Sequence, residues 1–498
     1  MISGVTLVDL LAGSAERHAA REAVTAGPER LTFEALWAAV QRGASCLADR
    51  GIGRGDRVAL LAAATPESVA AYYAVLASGG VVVPLDPDAT PYELNARIVH
   101  SDPRLVIAPS PDRAAKTPRD FPVVRADELV TGASPRRDLP WPAPDDLAAI
   151  MYTSGTADQP KGVMLTHGNL AANTLAVVDY LGLGPDDRVL SPLPLFYAYG
   201  SSVLHTHLAA GASVVLSDMV YAERAVERMA DERVTGFSGV PWMYATLMDR
   251  TSFPSRPLPA LRYLTQAGAR MAPAEIARVT RARPGVAFFV MYGQTEATSR
   301  LTFLPPGELA RRPDSVGRPI ARVRIEVWRP DGSRAAPGES GEVVAAGPGV
   351  MAGYWRAPEA TRATLVSNDR GRWLRTGDRG FLDEDGYLYL DGRLSDLIKV
   401  GAHRVSPAEV EDVARLLPGV AHAAAVAAPD PMLGQVVHLV VVRAAGADVS
   451  AADLLAHCRA HLSAYKTPRH VTFTDALPRT ASGKLQRARL ARALEAQP

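Results

Sequence analysis

The chain has 498 residues, of which 54 are Lys or Arg and 53 are Asp or Glu, so its formal net charge at pH 7 is +1. This length is typical of two or three domains, and the balanced charge excludes a global field that would attract nucleic acid or an anionic membrane. Cys46 and Cys458 are the only cysteines. Their separation argues against a disulfide framework or thiolate metal site and favours a reducing compartment, the cytoplasm. No signal-peptide pattern and no run of about 18 apolar residues is found, so we expect no membrane partner.

The first part of the chain alternates apolar runs with helix patterns. Thr65 is a predicted N-cap with Pro66 at the first helical position, and Thr90 and Glu93 have the spacing of a capping box. Apolar runs that alternate with capped helices predict parallel strands joined by right-handed crossovers, which is an α/β arrangement. The predicted elements are strands at 57–64, 81–84 and 105–110, and helices at 65–80 and 90–100.

Later apolar runs carry no helix pattern between them. Asp-Gly and Pro-Gly pairs punctuate these runs and predict turns between antiparallel strands. The expected strands lie at 323–328, 342–347 and 385–392. A compact, βαβ-like pattern of about 100 residues follows, with helices that begin at Ser406 and Ser450. The predicted domain organisation is an N-terminal domain at 1–391, a hinge at 392–396 and a C-terminal domain at 397–498.

Residues 153–162 read TSGTADQPKG and follow the apolar run 147–152. A strand that leads into a small-residue loop presents backbone N–H groups and hydroxyls to a phosphate, and a lysine adds positive charge. A flexible surface loop is the alternative that this cluster alone leaves open. The P-loop pattern does not fit, because Pro160 precedes Lys161 and Gly162 follows it.

Five further clusters stand near places where an apolar strand runs into a loop, and open α/β sheets bind ligands at strand ends. They read SPLPLFYAYG (191–200), LTQAGARMAP (264–273), FFVMYGQTEAT (288–298), RWLRTGD (372–378) and LPRTASGKLQR (477–487). With six motifs in this order, the chain resembles the adenylate-forming superfamily of acyl- and aryl-CoA synthetases, stand-alone adenylation domains and luciferases. The resemblance implies an α/β fold with two parts. The large N-terminal domain would have parallel-rich sheets flanked by helices and a distorted antiparallel, barrel-like part, and a small mobile α+β domain would follow it.

The resemblance implies a set of contacts to ATP. The residues that match the family's phosphate loop are Thr153, Ser154, Gly155, Thr156 and Lys161. Further nucleotide contacts are implied at Gly268, Ala269 and Tyr292, with ribose contacts at Asp378 and Arg393. Asp158 stands where the family usually has glycine, and we expect its carboxylate to point away from the phosphates, which would repel it.

Three residues match positions that the family uses for the reaction itself. Glu296 is the implied ligand of Mg²⁺, a hard cation that prefers oxygen and bridges phosphate oxygens, and Thr295 is implied to donate to the α-phosphate. Lys484 matches the lysine that bridges the substrate carboxylate and the α-phosphate. Its positive charge is needed because a carboxylate that attacks an anionic phosphate meets charge repulsion.

The residues that match the family's acid pocket are Tyr197, Tyr199, Gly200, Val240, Gln266, Ala267 and Gly293. Amino-acid-activating relatives place an aspartate in the aromatic motif, whereas residues 196–199 contain none, and an unpaired buried ammonium is costly. We therefore expect an aryl or aliphatic acid without an α-amino group. His205 and His207 have no Cys or carboxylate cluster nearby, so we expect no zinc site, and Tyr354 and Trp355 are interpreted as packing residues.

The implied reaction converts an acid and ATP to an acyl-adenylate and pyrophosphate, and then to a CoA thioester. In the family the C-terminal domain rotates between the two steps, and the pivot maps to Ser395. Transfer to the phosphopantetheine of a carrier protein is the alternative, because Ala402 departs from the glycine usual beside the CoA path. A non-catalytic nucleotide-binding scaffold is a third hypothesis, against which Lys484 and Glu296 weigh. The expected cofactors are ATP, Mg²⁺ and CoA, and the oligomeric state stays open.

Overall fold

A computed structural model describes residues 4–115, 117–118, 120–132, 134, 141–153, 160–400, 403–480 and 485–495. Its contacts divide the chain into two compact units. Unit 1 comprises Met1–Pro313, Gly317–Ile325 and Ala345–Leu374, and unit 2 comprises Asp314–Val316, Glu326–Val344 and Arg375–Pro498. The predicted boundary at residue 391 and the hinge at 392–396 remain predictions.

Helices are distributed along the whole of the described chain. The α-helices are α1 (Leu7–Arg17), α2 (Phe33–Asp49), α3 (Pro66–Ala77), α4 (Pro91–Ser101), α5 (Pro111–Ala114), α6 (Ala126–Thr131), α7 (His167–Leu181), α8 (Ala198–Ala209), α9 (Ala222–Asp231), α10 (Pro241–Arg250), α11 (Pro273–Ala282), α12 (Pro358–Thr364), α13 (Pro407–Leu416), α14 (Ala451–His461) and α15 (Arg487–Glu495). Short 3₁₀ helices lie at Thr295–Ala297, Pro306–Glu308 and Leu394–Asp396. In the part of the chain described, no helix has the length and apolar character needed to cross a membrane.

Strands occur in both units. They are β1 (Glu22–Ala26), β2 (Glu29–Thr32), β3 (Arg57–Leu61), β4 (Val81–Leu85), β5 (Leu105–Ala108), β6 (Val123–Arg125), β7 (Leu147–Tyr152), β8 (Gly162–Thr166), β9 (Arg188–Ser191), β10 (Ser213–Leu216), β11 (Gly236–Gly239), β12 (Tyr263–Gln266), β13 (Ala287–Tyr292), β14 (Thr302–Leu304), β15 (Ser315–Pro319), β16 (Arg324–Trp328), β17 (Gly341–Ala346), β18 (Gly353–Tyr354), β19 (Leu365–Asn368), β20 (Gly371–Leu382), β21 (Leu388–Arg393), β22 (Ile398–Val400), β23 (His403–Val405), β24 (Val420–Asp430), β25 (Gly434–Arg443) and β26 (His470–Phe473).

The first sheet of unit 1 has the strand order β18-β8-β7-β4-β3-β5-β6. Strand β3 pairs in parallel with β4 and β5, whereas β8 is antiparallel to β7. All five residues of β4 are buried, as expected for a parallel strand covered on both faces. The Thr65 N-cap bond and the capping box of Thr90 and Glu93 are both present, so the predicted capped helices and parallel strands are confirmed.

The second sheet of unit 1 brings several motifs to one edge. Strands β13, β12, β11, β9, β10 and β1 are parallel neighbours in that order. In register, Gly239 lies opposite Gln266, and Gln266 opposite Val290. Because parallel strands end at the same edge, the segments after β11, β12 and β13 are neighbours there. These segments hold several of the residues predicted for the acid pocket and for nucleotide binding, namely Val240, Ala267, Gly268, Ala269 and Gly293.

Strands β16, β17, β20 and β21 are successive neighbours, with β20 and β21 antiparallel. The C-terminal sheet has the order β23-β22-β25-β24, with β26 beside β25. The expected βαβ-like pattern holds only for β25, α14 and β26, which are joined as parallel strands across a helix. Strands β24 and β25 form an antiparallel pair instead, because only three residues separate them and a parallel crossover needs more chain.

Candidate active site

The stem of the predicted phosphate loop is an antiparallel hairpin. Tyr152 pairs with Gly162 across β7 and β8, and the Thr153 N–H donates to the carbonyl oxygen of Lys161 at 3.3 Å. The stem therefore holds Thr153 and Lys161 opposite each other at the end of β7. The other residues assigned to this loop lie outside the described residues: Ser154, Gly155, Thr156 and Asp158.

Glu296 stands on a tight turn after β13. The turn closes where the Leu301 N–H donates to the Tyr292 carbonyl oxygen at 2.8 Å. Gly293 is required inside it, because a Cβ at this position would lie 1.9 Å from the Ser299 carbonyl oxygen. The 3₁₀ helix that follows carries Thr295 and Glu296, and both side chains are half-buried. A backbone this constrained fixes the direction in which the Glu296 carboxylate leaves the chain.

Tyr354 contacts Glu296, and this contact was not predicted from the sequence. Its hydroxyl donates to Glu296 Oε1 at 2.9 Å, and Lys161 Nζ lies 5.8 Å from the centroid of its ring. The expectation of a packing residue was incomplete, although the ring is buried. The sequence offers only a weak signal here, a tyrosine next to glycine in a short apolar stretch.

The segment around Tyr354 is hydrogen-bonded on both sides. The Met351 N–H donates to the Glu296 carbonyl oxygen at 2.9 Å, and the Trp355 N–H donates to the Gly162 carbonyl oxygen at 2.7 Å. Strand β18 pairs with β8 between these two bonds. Residues 351–355 therefore connect the turn that carries Glu296 to the stem of the phosphate loop.

The residues present fit a Mg²⁺ ion whose oxygen ligands come partly from the protein and partly from phosphates. Within the described ranges, no three His, Cys, Asp or Glu side chains come together as a metal site. Mg²⁺ in nucleotide sites needs only one or two carboxylates, because phosphates and water supply the other oxygens, and Glu296 meets that need. Beside it, Gln294 Nε2 is buried and has no hydrogen-bond partner among the residues that the structure describes, so this turn also holds a donor unused within them.

A hydrogen-bond network fixes one wall of the predicted acid pocket. The Tyr199 hydroxyl bonds to Thr265 at both its carbonyl oxygen (3.0 Å) and its Oγ1 (2.9 Å). The Tyr244 hydroxyl donates to the same carbonyl oxygen at 2.7 Å. Burial raises the pKa of Tyr199 above its usual value, and the nearby Arg300 charge opposes the rise. Tyr199 therefore remains a neutral donor with a fixed ring.

The segment after β12 forms a second wall. Gln266 Nε2 donates to the Ala269 carbonyl oxygen at 2.6 Å, and Gly268 has a left-handed φ of +89°. A Cβ on Gly268 would lie 3.2 Å from Val240 Cγ1, so these two segments are in close contact. Ala267 is buried in a cluster with Met291. The structure therefore brings together the pocket residues predicted after β11 and β12 and places Met291 of β13 in the same cluster as Ala267.

Two predicted pocket residues lie at the start of α8. Tyr197 is the residue before the helix, and its ring centroid lies 4.6 Å from that of Phe196. A Cβ on Gly200 would lie 2.1 Å from the Pro194 carbonyl oxygen. Glycine is therefore needed there for the close approach of the preceding loop. Farther along α8, His207 donates through Nδ1 to the Val203 carbonyl oxygen at 2.7 Å and accepts through Nε2 from the Tyr263 hydroxyl at 2.6 Å, while burial lowers its pKa to about 4.

Unit 2 contains the two predicted ribose contacts as a pair. Asp378 and Arg393 lie directly opposite each other on β20 and β21, and Arg393 Nε is 3.1 Å from Asp378 Oδ1. Asp378 is buried, whereas the Arg393 side chain is 42% exposed. The carboxylate is thus held in place by strand pairing and by an ion pair.

Lys484 lies outside the described residues, but the chain on both sides of it is described. Arg479 and Leu485 form an antiparallel bridge, and the Gln486 N–H donates to the Pro478 carbonyl oxygen at 2.9 Å. Arg487 then pairs with Glu411 through two hydrogen bonds of 2.6 and 3.0 Å. The two ends of the lysine segment are therefore fixed in unit 2. Ser395 lies in the 3₁₀ helix Leu394–Asp396, and Ala402 lies outside the described residues.

Family models match most of the chain. The model described as AMP-binding enzyme covers residues 11–355, and the model described as AMP-binding enzyme C-terminal domain covers residues 409–484. The chain belongs to the AMP-binding enzyme family, which confirms the resemblance inferred from the six motifs.

Relatives of similar length carry CoA-ligase names. The feruloyl-CoA synthase of Amycolatopsis sp is 37% identical over 476 residues, which cover 94% of this chain and 95% of the relative. The sulfoacetate–CoA ligase of Cupriavidus necator is 37% identical over 478 residues, which cover 92% of each chain. Together with the family models, these relatives confirm the expected class of enzyme, an AMP-forming acid–CoA ligase that uses ATP, Mg²⁺ and CoA.

Solved structures match over nearly the full length. ATP-bound MatB from Rhodopseudomonas palustris aligns with a TM-score of 0.89 and 30% identity over 99% of both chains. MenE from Bacillus subtilis, in complex with the acyl-adenylate OSB-AMP, aligns with a TM-score of 0.86 and 30% identity over 98% of both chains. The expected fold class is confirmed.

Proposed function

We propose that the chain activates a carboxylic acid without an α-amino group and transfers the acyl group to CoA. A carboxylate oxygen of the acid attacks the α-phosphorus of ATP and pyrophosphate leaves. The CoA thiol then displaces AMP from the acyl-adenylate. The observation that carries this proposal is the contact of Tyr354 with both Glu296 and Lys161. It joins a candidate metal ligand and a candidate phosphate-binding cation at one place in unit 1.

Each candidate residue has a separate role in this proposal. Thr153 and Lys161 bind the phosphates that leave, and Glu296 holds Mg²⁺, which neutralises their charge. Thr295 donates to the α-phosphate, and Lys484 stabilises the charge that accumulates as the carboxylate attacks. Asp378 and Arg393 contact the ribose. The paired geometry of these two residues supports that role, because it holds a buried carboxylate in one orientation.

The absence of an α-amino group on the acid is supported by the charges near the pocket. Residues 196–199 contain no carboxylate, and the guanidinium of Arg300 lies 4.1 Å from the Tyr199 ring centroid. A cation at this wall repels a substrate ammonium, which would also lack a partner. The acids named for the two relatives above, ferulic and sulfoacetic acid, contain no amino group.

CoA is the proposed thiol because the relatives are named as CoA ligases. A carrier-protein phosphopantetheine carries the same thiol and is the second candidate. The cytoplasmic location is part of the same proposal, and it is supported by Cys46 and Cys458, which are free and buried.

A panel assay tests this function. Aryl, aliphatic and amino acids are each incubated with ATP and Mg²⁺, and pyrophosphate release is measured; CoA or a phosphopantetheinylated carrier protein is then added. We expect release with acids that lack an amino group and a thioester with CoA. Faster release with ordinary amino acids than with any other acid would contradict the proposed substrate class, and thioester formation only on the carrier protein would contradict CoA.

The Lys484→Ala variant separates the two steps. We expect it to lose adenylate formation by about 10²- to 10³-fold, because the lysine stabilises charge that arises only in that step, while thioester formation from a supplied acyl-adenylate is largely retained. Lys466→Ala is the matched control, since Lys466 lies in the same unit and pairs with Glu409. Equal loss of both half-reactions in Lys484→Ala would show that the residue has a different role.

A further inference from the structure

Arg300 is a buried cation that neither the sequence analysis nor the proposed roles account for. Arg300 as a whole is only 2% exposed. The guanidinium carbon lies 4.1 Å from the centroid of the Tyr199 ring, and Nε lies 3.3 Å from Met291 Sδ. Both neighbours belong to the walls of the acid pocket described above. Arg300 is therefore part of the pocket wall.

The described contacts of Arg300 leave its charge without a counter-ion. Nη1 donates to the Ser299 carbonyl oxygen at 3.4 Å and also bonds to Ser299 Oγ. The remaining described contacts are a thioether, an aromatic ring and a hydrogen bond with the Tyr180 side chain, and none of these groups carries a negative charge. A buried charge is strongly unfavourable unless it is paired. These neutral groups can accept hydrogen bonds, but they do not balance the charge.

The backbone that delivers Arg300 is strained and firmly held. Thr298 and Ser299 have φ values of +61° and +109°, which are unfavourable for residues with a side chain. The Thr298 hydroxyl donates to the Gly349 carbonyl oxygen at 2.5 Å, and Asn173 Nδ2 donates to the Arg300 carbonyl oxygen at 2.8 Å. Strain of this kind persists where the surroundings impose it, and it is concentrated at functional sites. The same turn carries Glu296, so one segment provides both the candidate metal ligand and a residue of the acid-pocket wall.

A rigid platform lies under the guanidinium. Tyr199 cannot rotate away easily, because its hydroxyl is held by Thr265. Tyr180 stacks on Phe303 with ring centroids 4.1 Å apart, and its hydroxyl donates to Met291 Sδ at 2.9 Å. The guanidinium therefore keeps one orientation, and a planar cation held in this way suits bidentate recognition of an oxyanion.

We propose that Arg300 binds a second oxyanion on the acid substrate, a carboxylate or sulfonate remote from the carboxylate that is adenylated. This inference rests on the proposed function and narrows its substrate class to acids with two anionic groups. The guanidinium supplies two parallel N–H donors and the balancing charge, and the substrate supplies the counter-ion that the protein lacks.

The test compares matched acids that differ only at the remote end. The pairs are succinate and levulinate, sulfoacetate and methylsulfonylacetate, and terephthalate and its monomethyl ester. For each pair, kcat/KM for pyrophosphate release is measured with the wild type, Arg300→Met and Arg300→Lys. We expect the wild type to prefer the doubly charged acid in at least one pair by 10-fold or more, and Arg300→Met to reduce that ratio by about 30- to 100-fold. Arg300→Lys keeps the charge but not the planar geometry, so we expect an intermediate ratio.

Arg283→Met is the matched control. Arg283 also stacks on an aromatic ring, with its guanidinium carbon 4.5 Å from the Phe253 centroid, and donates to the Arg256 carbonyl oxygen at 2.9 Å. We expect its preference ratios to equal those of the wild type. If Arg300→Met does not fold, as judged by thermal melting, the inference is tested with Arg300→Lys alone. The quantity compared is again the ratio of kcat/KM between the two acids of a pair.

Three results would overturn the inference. The first is a wild-type preference for the neutral acid in every pair. The second is an Arg300 variant that lowers kcat/KM for both members of a pair equally, which would mean that Arg300 serves the reacting carboxylate or the fold. In either of these cases acids are still adenylated and the proposed function stands. The third is pyrophosphate release with no acid at all, which would overturn the proposed function and this inference with it.

Discussion

The carboxylate of the candidate metal ligand, Glu296, is held by the hydroxyl of Tyr354. Tyr354 donates to Glu296 Oε1, and a hydrogen bond to one carboxylate oxygen restricts rotation of the group and leaves the other oxygen for a cation. Groups that orient a metal ligand in this way commonly change metal affinity or activity by about 10- to 100-fold when removed. We therefore propose that Tyr354 positions the candidate metal ligand.

Tyr354→Phe removes this hydrogen bond and keeps the ring beside Lys161. We expect the Mg²⁺ concentration for half-maximal pyrophosphate release to rise about 10-fold, since the Glu296 carboxylate is then free to rotate. The measurement is a Mg²⁺ titration of the initial rate at saturating ATP. Tyr180→Phe is the control, because it also deletes a tyrosine hydroxyl, one that contacts Met291 rather than Glu296. A melting temperature that falls while the Mg²⁺ dependence stays unchanged would assign Tyr354 to packing alone.

At the scale of elements, one ion pair links helix α13 to the start of α15. Glu411 is buried and also accepts from the Ala425 N–H at 2.8 Å, and Arg487 bonds to both of its oxygens. Arg487 stands three residues after Lys484. The pair therefore fixes the described chain that directly follows the lysine segment.

Arg487→Met tests whether this attachment matters for the reaction. We expect adenylate formation to slow about 10-fold, because the lysine segment loses its fixed end, while thioester formation from a supplied acyl-adenylate changes less. The variant also leaves a buried carboxylate unpaired, and we expect the free energy of unfolding to fall by about 2 kcal/mol. Adding Glu411→Gln removes the unpaired charge, so the double variant should regain stability but not the rate. Recovery of both together would show that Arg487 acts only through stability.

The elements predicted from the sequence are those that depend on interactions between residues close together in the chain. Thr65 and Thr90 cap helices through side chains within three residues of themselves, and the structure contains both caps. The motif at 288–298 likewise contains Gly293, whose backbone must approach Ser299 closely. Arg300 and Tyr354 were missed because their roles depend on contacts that no local pattern encodes. Arg300 depends on the strained turn before it, and Tyr354 on the pairing of β18 with β8, which lies almost 200 residues earlier in the chain.

For the whole molecule, the proposed alternation of two steps depends on rotation near Ser395. Lys484, proposed for the first step, and Ala402, implied to lie beside the CoA path, both belong to the C-terminal part of the chain. If that part moves as a near-rigid body, a few backbone torsions at the hinge must absorb the motion. The 3₁₀ helix Leu394–Asp396 contains Ser395, so its backbone is the place to restrict rotation.

Ser395→Pro fixes φ at about −65°. We expect one half-reaction to survive and the other to slow by orders of magnitude, because a proline favours one hinge conformation over the other. Single-turnover pyrophosphate release measures the first step, and consumption of a supplied adenylate with excess thiol measures the second. Ser395→Ala, which leaves φ free, is the control and should retain both rates. A proline variant with both rates within a few-fold of the wild type would rule out alternation about this position.

The hydrogen bonds at both ends of residues 351–355 also limit how this stretch can change during evolution. Most of its hydrogen bonds are made by the backbone, so substitutions at Met351 or Ala352 leave the Met351 and Ala352 N–H bonds to Glu296 and Met164 in place. A one-residue insertion is different, because side chains alternate along a strand and every later one would turn to the opposite face. The hydroxyl of Tyr354 would then leave Glu296 although neither residue had been replaced. Selection must therefore preserve the number of residues in the stretch 351–355 more strictly than their identities.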